Sequence, residues 1–414
     1  MLRRFNHRVT CWLLLLPLAG ALYPQSFNIT VNNPSDLNRP NSIVEINLDS
    51  LKPASQAKSF SVMSGGNELQ SEYFAKYKGG ADYLLVMTDL AAGETKKLTV
   101  KVTEQPSSSD TKYTGLYLAE RTDTQKIGAV YQGGAFKSVT RAKIHANHTV
   151  QDAYYQYEGL GWESDKIAYR LYLDVRNKID IFGKRTSAMM LPEIGKNDFV
   201  PNQESYQKLQ NWGMDIFKVG PTVGLAGLHY YKDGKPLAVS NTDSTICVLE
   251  HDGAIISRAN MRYYGSSLEG EKNDIFWDIQ IKAHSRLVKN HVDIDKDMTF
   301  CAGLPKHAGA QFIKSDLPGS KWRYIGIYGK QTLNNDNLGI ALFYRASDLV
   351  ELKEDGYNQL AALKTDNGVL TYFFCAAWEL EPDGIKNLSE FEKYINAVVT
   401  ELNNKLIINY EHNN

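Results

Sequence analysis

Short runs in which apolar and polar residues alternate recur along the chain, with no long helical segment between one run and the next. The clearest runs are residues 27–33, 42–49, 83–90 and 96–102, and residues 274–282, 321–329 and 369–378 have strand composition. A period of two is typical of β-strands, because successive side chains point to opposite faces of a sheet. A parallel α/β sheet would need a strand–helix–strand rhythm, which is missing, so the sequence predicts a mainly β, antiparallel fold.

A serine- and proline-rich stretch, residues 105–110 (QPSSSD), divides the pattern into two units. We predict a small β-sandwich domain over residues 22–104. The second unit, residues 111–414, is expected to be a large antiparallel, supersandwich-like β-sandwich that carries the active site.

The chain ends in a different pattern. Apolar residues follow one another at helical spacing from Leu388 to Leu406, and Ser389 with Glu392 fits a capping box. The sequence therefore predicts a C-terminal helix with a structural role, packed on the sheet.

Residues 1–21 have the three parts of a secretory signal peptide: arginines at the start, an apolar centre over residues 12–18 and small residues at 19–21. The apolar centre is much shorter than the ~20 residues that a membrane-spanning helix needs. We therefore expect an exported, periplasmic protein that does not insert into the membrane.

Charge limits the partners of the mature chain. The sequence has 46 Lys+Arg and 47 Asp+Glu, and the signal peptide contains Arg3, Arg4 and Arg8, so removing it leaves a net charge of about −4. A nucleic-acid-binding protein is normally basic, so no nucleic-acid partner is predicted. The three cysteines beyond the peptide are too few for a disulfide framework and lack zinc-site spacing.

A dense run of charged and aromatic side chains lies on a predicted strand at residues 167–176 (IAYRLYLDVR). One alternating set is apolar and is predicted to face the core, whereas the other contains Arg170, Tyr172, Asp174 and Arg176. This second face fits either a solvated surface of paired charges or the floor of a groove in which arginine binds an anionic sugar. Trp162, Glu163 and Asp165 precede the strand, where a loop over such a groove is expected.

A second predicted strand shows the same arrangement. Asp278, Gln280, Lys282, His284 and Arg286 share one face of residues 278–286. The same two interpretations apply to this face.

Four glycines interrupt any regular period in residues 211–231 (NWGMDIFKVGPTVGLAGLHYY), which predicts a shaped loop. Trp212, Asp215 and Lys218 lie among these glycines. The phosphate-loop pattern is absent, since no Gly-Lys-Ser/Thr follows.

Three histidines are candidates for proton transfer. His145 and His148 lie three residues apart in AKIHANHTV, and His307 follows Lys306 in a segment flanked by glycines. On an extended segment, residues three apart point to opposite faces, so only one of the pair enters a given site. No cofactor is predicted, and a divalent metal stays open as an alternative.

The segments at 161–184 and 211–231 together resemble a family of exported bacterial proteins from polysaccharide-utilisation gene clusters that carries a domain-of-unknown-function label. The resemblance extends over nearly the whole mature chain. The matching positions are Glu163, Ser164, Asp165, Ala168, Arg170, Tyr172, Gly213, Asp215, Lys218, Val219 and Gly220.

That family includes the ulvan oligosaccharide dehydratase of marine Bacteroidetes. The resemblance therefore implies a carbon–oxygen lyase (hydro-lyase) with an anionic oligosaccharide as its partner. It would remove water from a non-reducing-end glucuronic or iduronic acid linked to sulfated rhamnose, giving an unsaturated uronic acid.

Such an elimination removes the proton at carbon 5, next to the carboxylate, so it needs a cation for the carboxylate, a base and an acid. The candidates are Arg170 and Lys218 as carboxylate partners, His145, His148, Tyr172 and His307 as proton carriers, Trp162 and Trp212 as sugar platforms, and Glu163, Asp165 and Asp215 as orienting groups.

Two other kinds of protein remain open at this point. A polysaccharide lyase or glycoside hydrolase would act on the same acidic polymers, although a hydrolase needs two carboxylates about 5–10 Å apart. A non-catalytic sugar-binding protein would use the same aromatic and arginine side chains but would tolerate the loss of every histidine.

Overall fold

The computed structural model describes residues 26–51, 57–75, 80–105, 111–196, 205–315 and 317–411. The predicted signal peptide, residues 1–21, and residues 106–110 of the predicted linker lie outside the described residues.

Seven strands form before the linker. They are β1 (Ser26–Asn32), β2 (Arg39–Asn47), β3 (Phe60–Ser64), β4 (Asn67–Leu69), β5 (Ser71–Phe74), β6 (Tyr83–Leu90) and β7 (Thr95–Val102).

The next twelve strands are short. They are β8 (Thr114–Tyr117), β9 (Ala119–Thr122), β10 (Gln125–Ile127), β11 (Val130–Gln132), β12 (Ala135–Ser138), β13 (Arg141–Lys143), β14 (Gly159–Ser164), β15 (Ala168–Tyr172), β16 (Ile179–Lys184), β17 (Gly213–Asp215), β18 (His229–Lys232) and β19 (Lys235–Ala238).

Longer strands and one helix complete the chain. They are β20 (Ser244–Asp252), β21 (Ile256–Leu268), β22 (Glu271–Lys282), β23 (Leu287–Ile294), β24 (Thr299–Pro305), β25 (Gln311–Lys314), β26 (Trp322–Lys330), β27 (Asn337–Arg345), β28 (Leu349–Glu354), β29 (Asn358–Lys364), β30 (Val369–Trp378), α1 (Leu388–Asn403) and β31 (Ile407–Glu411).

The first seven strands and β31 build a small sandwich. A five-stranded sheet in the order β31-β1-β7-β3-β4 packs on a three-stranded sheet in the order β2-β6-β5. The apolar residues of the alternating runs, such as Val31 and Val100 on one sheet and Val44 and Val86 on the other, meet in its core.

The large unit has two layers. A nine-stranded sheet in the order β13-β20-β21-β22-β23-β30-β27-β26-β25 forms one layer. Two five-stranded sheets, β17-β16-β15-β14-β8 and β19-β18-β24-β29-β28, form the other. The main core lies between the layers and includes the buried rings of Trp162, Trp277 and Trp378. All pairings between these strands are antiparallel, so the predicted mainly β fold with a C-terminal helix is confirmed.

The end of the chain departs from the predicted division. β31 pairs antiparallel with β1, so residues 407–411 belong to the small sandwich, although the sequence prediction placed them in the large unit. The helix also begins at another cap: Asn387 Oδ1 accepts the backbone N–H of Glu390, whereas Ser389 and Glu392 lie inside α1. The observed cap lies two residues before the predicted one. Asn387 and Glu390 have the same spacing as Ser389 and Glu392, so the capping pattern in the sequence fits both pairs.

Helix α1 packs its apolar stripe on the outer face of β26, β27 and β30, as predicted. Phe391 lies against Gly339 of β27 and at 5.6 Å, between ring centroids, from Tyr328. No helix of the described residues is long and apolar enough to cross a membrane.

Replacing Gly339 by alanine should loosen this contact. A Cβ at position 339 would lie 2.4 Å from the Phe391 ring, so the helix or the strand must shift. Overpacking of this kind costs about 1–3 kcal/mol, and we expect urea unfolding to show a loss of that size.

Gly115→Ala is the matched control, because a Cβ there would approach no atom closer than 3.6 Å. Equal unfolding free energies for the two variants would contradict the close packing of α1 on β27.

Candidate functional site

The polar face of β15 is covered rather than open. All five residues of Ala168–Tyr172 are buried. The segment that follows β16 lies over this face and contributes Leu191, Ile194 and Tyr206 to an apolar cluster with Phe182. Neither a solvated surface nor an open groove, the two interpretations drawn from the sequence, describes this face.

Arg170 lies at the centre of the covered face, where it is 2% exposed. Its guanidinium donates to Asp180 Oδ2 at 2.6 Å, to Asp215 Oδ2 at 2.7 Å and to the Tyr206 hydroxyl at 2.9 Å. Tyr172 donates to the same Asp180 oxygen. The structure thus brings Arg170, Tyr172 and Asp215 together, but they bind one another and do not face solvent.

Burial controls the charge of this group. Desolvation raises the pKa of Asp215 to about 8, and Asp180 adds to the shift, while the Arg170 charge opposes it. The contact of 2.7 Å between Asp215 and the Arg170 guanidinium favours the ionised carboxylate. Arg170 also pairs with Asp180, however, so two buried acids share one cation. We therefore assign the raised pKa to Asp215, the acid with an oxygen that has no hydrogen-bond partner in the described chain.

The three candidates before β15 are each occupied by protein. Trp162 is 1% exposed, and its ring stacks on Tyr169 with centroids 5.8 Å apart. Glu163 accepts from Lys184 Nζ at 2.7 Å, deep inside the sheet. Trp162 therefore has no free face for a sugar, and Glu163 acts as the partner of a buried lysine.

Asp165 and Trp212 lie in two further places. The Asp165 carboxylate accepts the backbone N–H of His284 at 2.8 Å and lies 2.9 Å from His284 Nδ1. These two contacts join the sheet that contains β14 to the turn that follows β22. Trp212 is partly buried, and its indole N–H donates to Gln210 Oε1 at 3.0 Å. Its ring lies 6.3 Å from Phe182, at the edge of the Arg170 group.

Lys218 and His307 meet on the other side of the glycine-rich segment. The carbonyl of Lys218 lies 3.0 Å from His307 Nε2, while the Lys218 side chain is exposed. Burial lowers the pKa of His307, and the hydrogen bond to that carbonyl opposes the shift. His307 thus has one hydrogen-bonding contact here, whereas His145 and His148 lie among several polar and aromatic side chains.

His148 is buried and fixed by a carboxylate. It is 8% exposed, and its Nδ1 lies 2.9 Å from Asp152 Oδ2. Desolvation works to raise the pKa of Asp152, but hydrogen bonds from His148 and from the N–H groups of Thr149 and Tyr154 outweigh it and lower the pKa. An ionised Asp152 holds the proton on Nδ1, so Nε2 is left as an acceptor, without a partner in the described residues.

Tyrosines surround both histidines. The Tyr154 hydroxyl lies 3.2 Å from His145 Nε2. The Tyr155 ring packs edge-on against His148 with centroids 4.9 Å apart, and no described residue hydrogen-bonds its hydroxyl. We call His145, His148, Asp152, Tyr154 and Tyr155 the histidine–tyrosine cluster.

The rim of this cluster is aromatic and charged. The Tyr131 ring lies 5.0 Å from that of Tyr154, and Lys126 Nζ is 5.1 Å from the Tyr131 centroid. Desolvation raises the pKa of Glu120, while the charge of His145 opposes the shift. Desolvation also raises the pKa of Tyr154, with Glu120 and Tyr131 contributing, so this hydroxyl keeps its proton at neutral pH.

The backbone of this segment is strained. Gln151, Ala153, Tyr157 and Glu158 all have positive φ, at 58°, 60°, 39° and 70°. Such conformations cost about 1–3 kcal/mol each and concentrate at functional sites. The strain is independent of the side chains, and the strained stretch, residues 151–158, contains Asp152, Tyr154 and Tyr155 of the cluster.

Sequence reasoning found His145 and His148 but not their partners. The Asp152–Tyr154–Tyr155 stretch carries a signal, because a carboxylate four residues after a histidine can turn back onto it. The contact was not predicted, because the sequence indicates an extended segment, and an extended backbone does not bring residues four apart together. The left-handed residues at 151 and 153 make the necessary turns. In the described ranges, no group of three or more His, Cys, Asp or Glu is placed to hold a metal ion.

Comparison with known proteins gives a family and a set of distantly similar solved structures, two of which follow. The family model described as "Domain of unknown function (DUF4861)" matches residues 31–408. A protein in glycosyl hydrolase family 38 from Enterococcus faecalis is similar with a TM-score of 0.49 and 9% identity, over 94% of this chain and 47% of that chain. An alpha-mannosidase from Enterococcus faecalis V583 is similar with a TM-score of 0.44 and 9% identity, over 94% and 46%. The chain thus spans about half the length of these structures, and no curated protein matches it significantly.

The buried Asp215 makes stability depend on pH. Its pKa is raised from 3.8 to about 8 on folding, so the folded protein keeps a proton that the unfolded chain releases. The contribution is complete at pH values below 3.8 and is lost as the pH rises toward 8. Asp215→Asn keeps a neutral group at this position at every pH. The free energy of unfolding in urea should therefore fall less between pH 5 and pH 8 in the variant than in the wild type, by up to ~1.4 kcal/mol per pH unit.

Asp243→Asn serves as the control, because Asp243 forms an ion pair with Lys272 at the surface. The raised pKa of Asp215 is refuted if wild type and Asp215→Asn lose stability in parallel.

Proposed function

The chain belongs to the DUF4861 family, and from that premise we propose that it is a hydro-lyase acting on acidic oligosaccharides, with its active site at the histidine–tyrosine cluster. The proposed substrate ends in a glucuronic or iduronic acid linked to sulfated rhamnose, as in ulvan. This substrate rests on the family resemblance of the segments around Arg170 and Lys218. The proposal also includes export to the periplasm after cleavage at residue 21, which N-terminal sequencing of the exported protein would check.

The contact between His145 Nε2 and the Tyr154 hydroxyl, 3.2 Å apart, carries the proposal. An elimination needs a group that takes a proton and a group that gives one, both within reach of adjacent carbons. Histidine and tyrosine in direct contact supply both functions. His145 is exposed and Tyr154 half-buried, so a substrate can reach them.

The reaction balances with these two groups. His145 Nε2 takes the proton from carbon 5, and the electron pair of that C–H bond forms the double bond between carbons 5 and 4. The bond from carbon 4 to its oxygen breaks, and Tyr154 protonates the leaving hydroxyl to give water. The imidazolium then returns its proton to the phenolate across their hydrogen bond, so the site is restored.

Two neighbouring groups support these steps. Lys126 lies at the rim beside Tyr131, where its ammonium can neutralise the carboxylate at carbon 5 and stabilise the charge that develops there. The Asp152 carboxylate accepts the backbone N–H of Tyr154 at 3.0 Å and also contacts His148 Nδ1. Asp152 is therefore a positioning residue for Tyr154.

The first test is incubation of the protein with ulvan oligosaccharides that end in a saturated uronic acid. We expect ultraviolet absorbance of an unsaturated carboxylate together with the loss of one water in mass spectrometry and no shortening. Absorbance with shortening would instead identify a polysaccharide lyase, whose leaving group is a sugar. Binding without either change would identify a sugar-binding protein.

Substitutions test the assignment of the two groups. Tyr154→Phe and His145→Gln should each lower kcat by about 10²–10⁴ because each removes one proton transfer. Their unfolding transitions should stay at the wild-type temperature, since both side chains lie at the surface of the site. Tyr357→Phe, at an exposed tyrosine, is the control and should keep full activity. A fully active Tyr154→Phe enzyme would remove this cluster from the mechanism.

A further inference from the structure

The hairpin beside the histidine–tyrosine cluster is bent in the middle. Its base pairs β9 with β12, whereas its outer arm, residues 123–134, pairs β10 with β11. Asp123, Gly133 and Gly134 lie at the junction and have positive φ, at 52°, 76° and 65°. A Cβ at Gly134 would overlap the Thr122 carbonyl, so the chain can bend in this way only with glycine at that position.

The outer arm is folded against the cluster. The backbone N–H of Tyr131 donates to the carbonyl of Asp152 at 2.7 Å, and the Tyr131 ring packs on that of Tyr154. Lys126 Nζ donates to the carbonyl of Asn147 at 3.1 Å. The outer arm therefore forms one wall of the proposed active site, and it carries the ammonium group assigned to the substrate carboxylate.

Arg121 connects this wall to the strained segment, residues 151–158. Its Nε donates to the carbonyl of Ala153 at 3.0 Å, and its Nη1 donates to the carbonyl of Gly133 at 3.0 Å. Its backbone N–H also donates to the carbonyl of Tyr154 at 2.9 Å. Ala153 and Gly133 both have positive φ, so one guanidinium bridges a left-handed position in each of the two segments.

The charge of Arg121 serves this bridge rather than an ion pair. Among the described residues, the guanidinium forms no ion pair with a carboxylate, and desolvation lowers its pKa. The guanidinium carbon lies 4.1 Å from the ring centroid of Phe136, which is directly opposite on β12. A guanidinium is planar and its N–H groups point in fixed directions, so the ring and the two carbonyls hold it in one orientation.

We propose that Arg121 is a positioning residue: its guanidinium sets the separation between the outer arm, which carries Lys126, and the strained segment, which carries Tyr154. The inference rests on the proposed function, because the substrate carboxylate and the leaving hydroxyl are attached to carbons 5 and 4 of one sugar ring. The cation and the acid must therefore be held at one separation to reach both. A displacement of about 1 Å between such groups can lower the rate by about 10².

Steady-state kinetics on the ulvan oligosaccharides test this role. Arg121→Gln should lower kcat by about tenfold to a hundredfold and raise KM, because Tyr154 and Lys126 both lose their places. A role in folding alone would reduce the amount of active enzyme and leave KM unchanged. Arg121→Lys should show the same two changes, since one ammonium keeps the charge but cannot bond both carbonyls in the geometry of the guanidinium.

Arg345→Gln is the matched control, because Arg345 is an exposed arginine whose guanidinium also lies over an aromatic ring, 5.5 Å from the centroid of Trp322. This variant should keep both constants at wild-type values, and an equal change in it would overturn the proposal. A wild-type KM in Arg121→Gln would do the same. Full activity in Arg121→Lys would also overturn it, by showing that charge alone is needed.

Amide hydrogen exchange tests the same contacts without substrate. The Tyr131 N–H is protected by the carbonyl of Asp152, so it should exchange about tenfold faster in Arg121→Gln than in the wild type. Unchanged exchange there would overturn the positioning role even if activity falls. A wild type that shows no elimination would instead overturn the proposed function, and faster exchange in Arg121→Gln would still show that Arg121 holds the outer arm on the strained segment.

Discussion

The charge of Arg170 is held inside the protein, and the layer around it depends on that arrangement. Its guanidinium binds Asp180 on β16, Asp215 on β17 and Tyr206 on the covering segment. Removing one partner of a buried ion pair costs about 3–5 kcal/mol, because the charge that stays behind is uncompensated. One side chain thus ties together two neighbouring strands and the segment above them. It explains why a face so rich in charge can be covered at all.

The same group reaches the histidine–tyrosine cluster through one residue. Glu158 lies 3.8 Å from Arg170 and accepts from Arg176 at 2.7 Å. Glu158 is also the last of the four strained residues that begin at Gln151. The ion pairs therefore hold the end of the segment that carries Asp152 and Tyr154.

How far the sequence could predict this molecule follows from the range of each signal. Alternation in residues 96–102 and strand composition in residues 369–378 are local signals, so the strands, the antiparallel class and the packed helix were predictable. The return of β31 to β1 joins residues about 380 positions apart, and no local pattern records it. In the site, His145 and His148 were found because histidines are few. Tyr154 was missed because its contact depends on backbone turns at Gln151 and Ala153 that no glycine or asparagine announces.

Two strands with the same alternation of charges are covered by different parts of the chain. On β15, the polar face lies beneath the segment that follows β16, and Arg170 donates to Asp180, Asp215 and Tyr206 within the protein. On β22, the polar face lies against the small sandwich: Asp278 is buried, and Lys282 donates to Glu45 of β2 at 2.6 Å. The alternation along a strand shows that one face is polar. It does not show what covers that face, because the covering residues are distant in sequence. Distant contacts also join the small sandwich to the end of the chain: the Arg39 guanidinium donates to the carbonyl of Asn404 at 2.6 Å, and β31 then pairs with β1. What covers a polar strand face is therefore decided by tertiary contacts, and for β22 those contacts include the last residues of the chain.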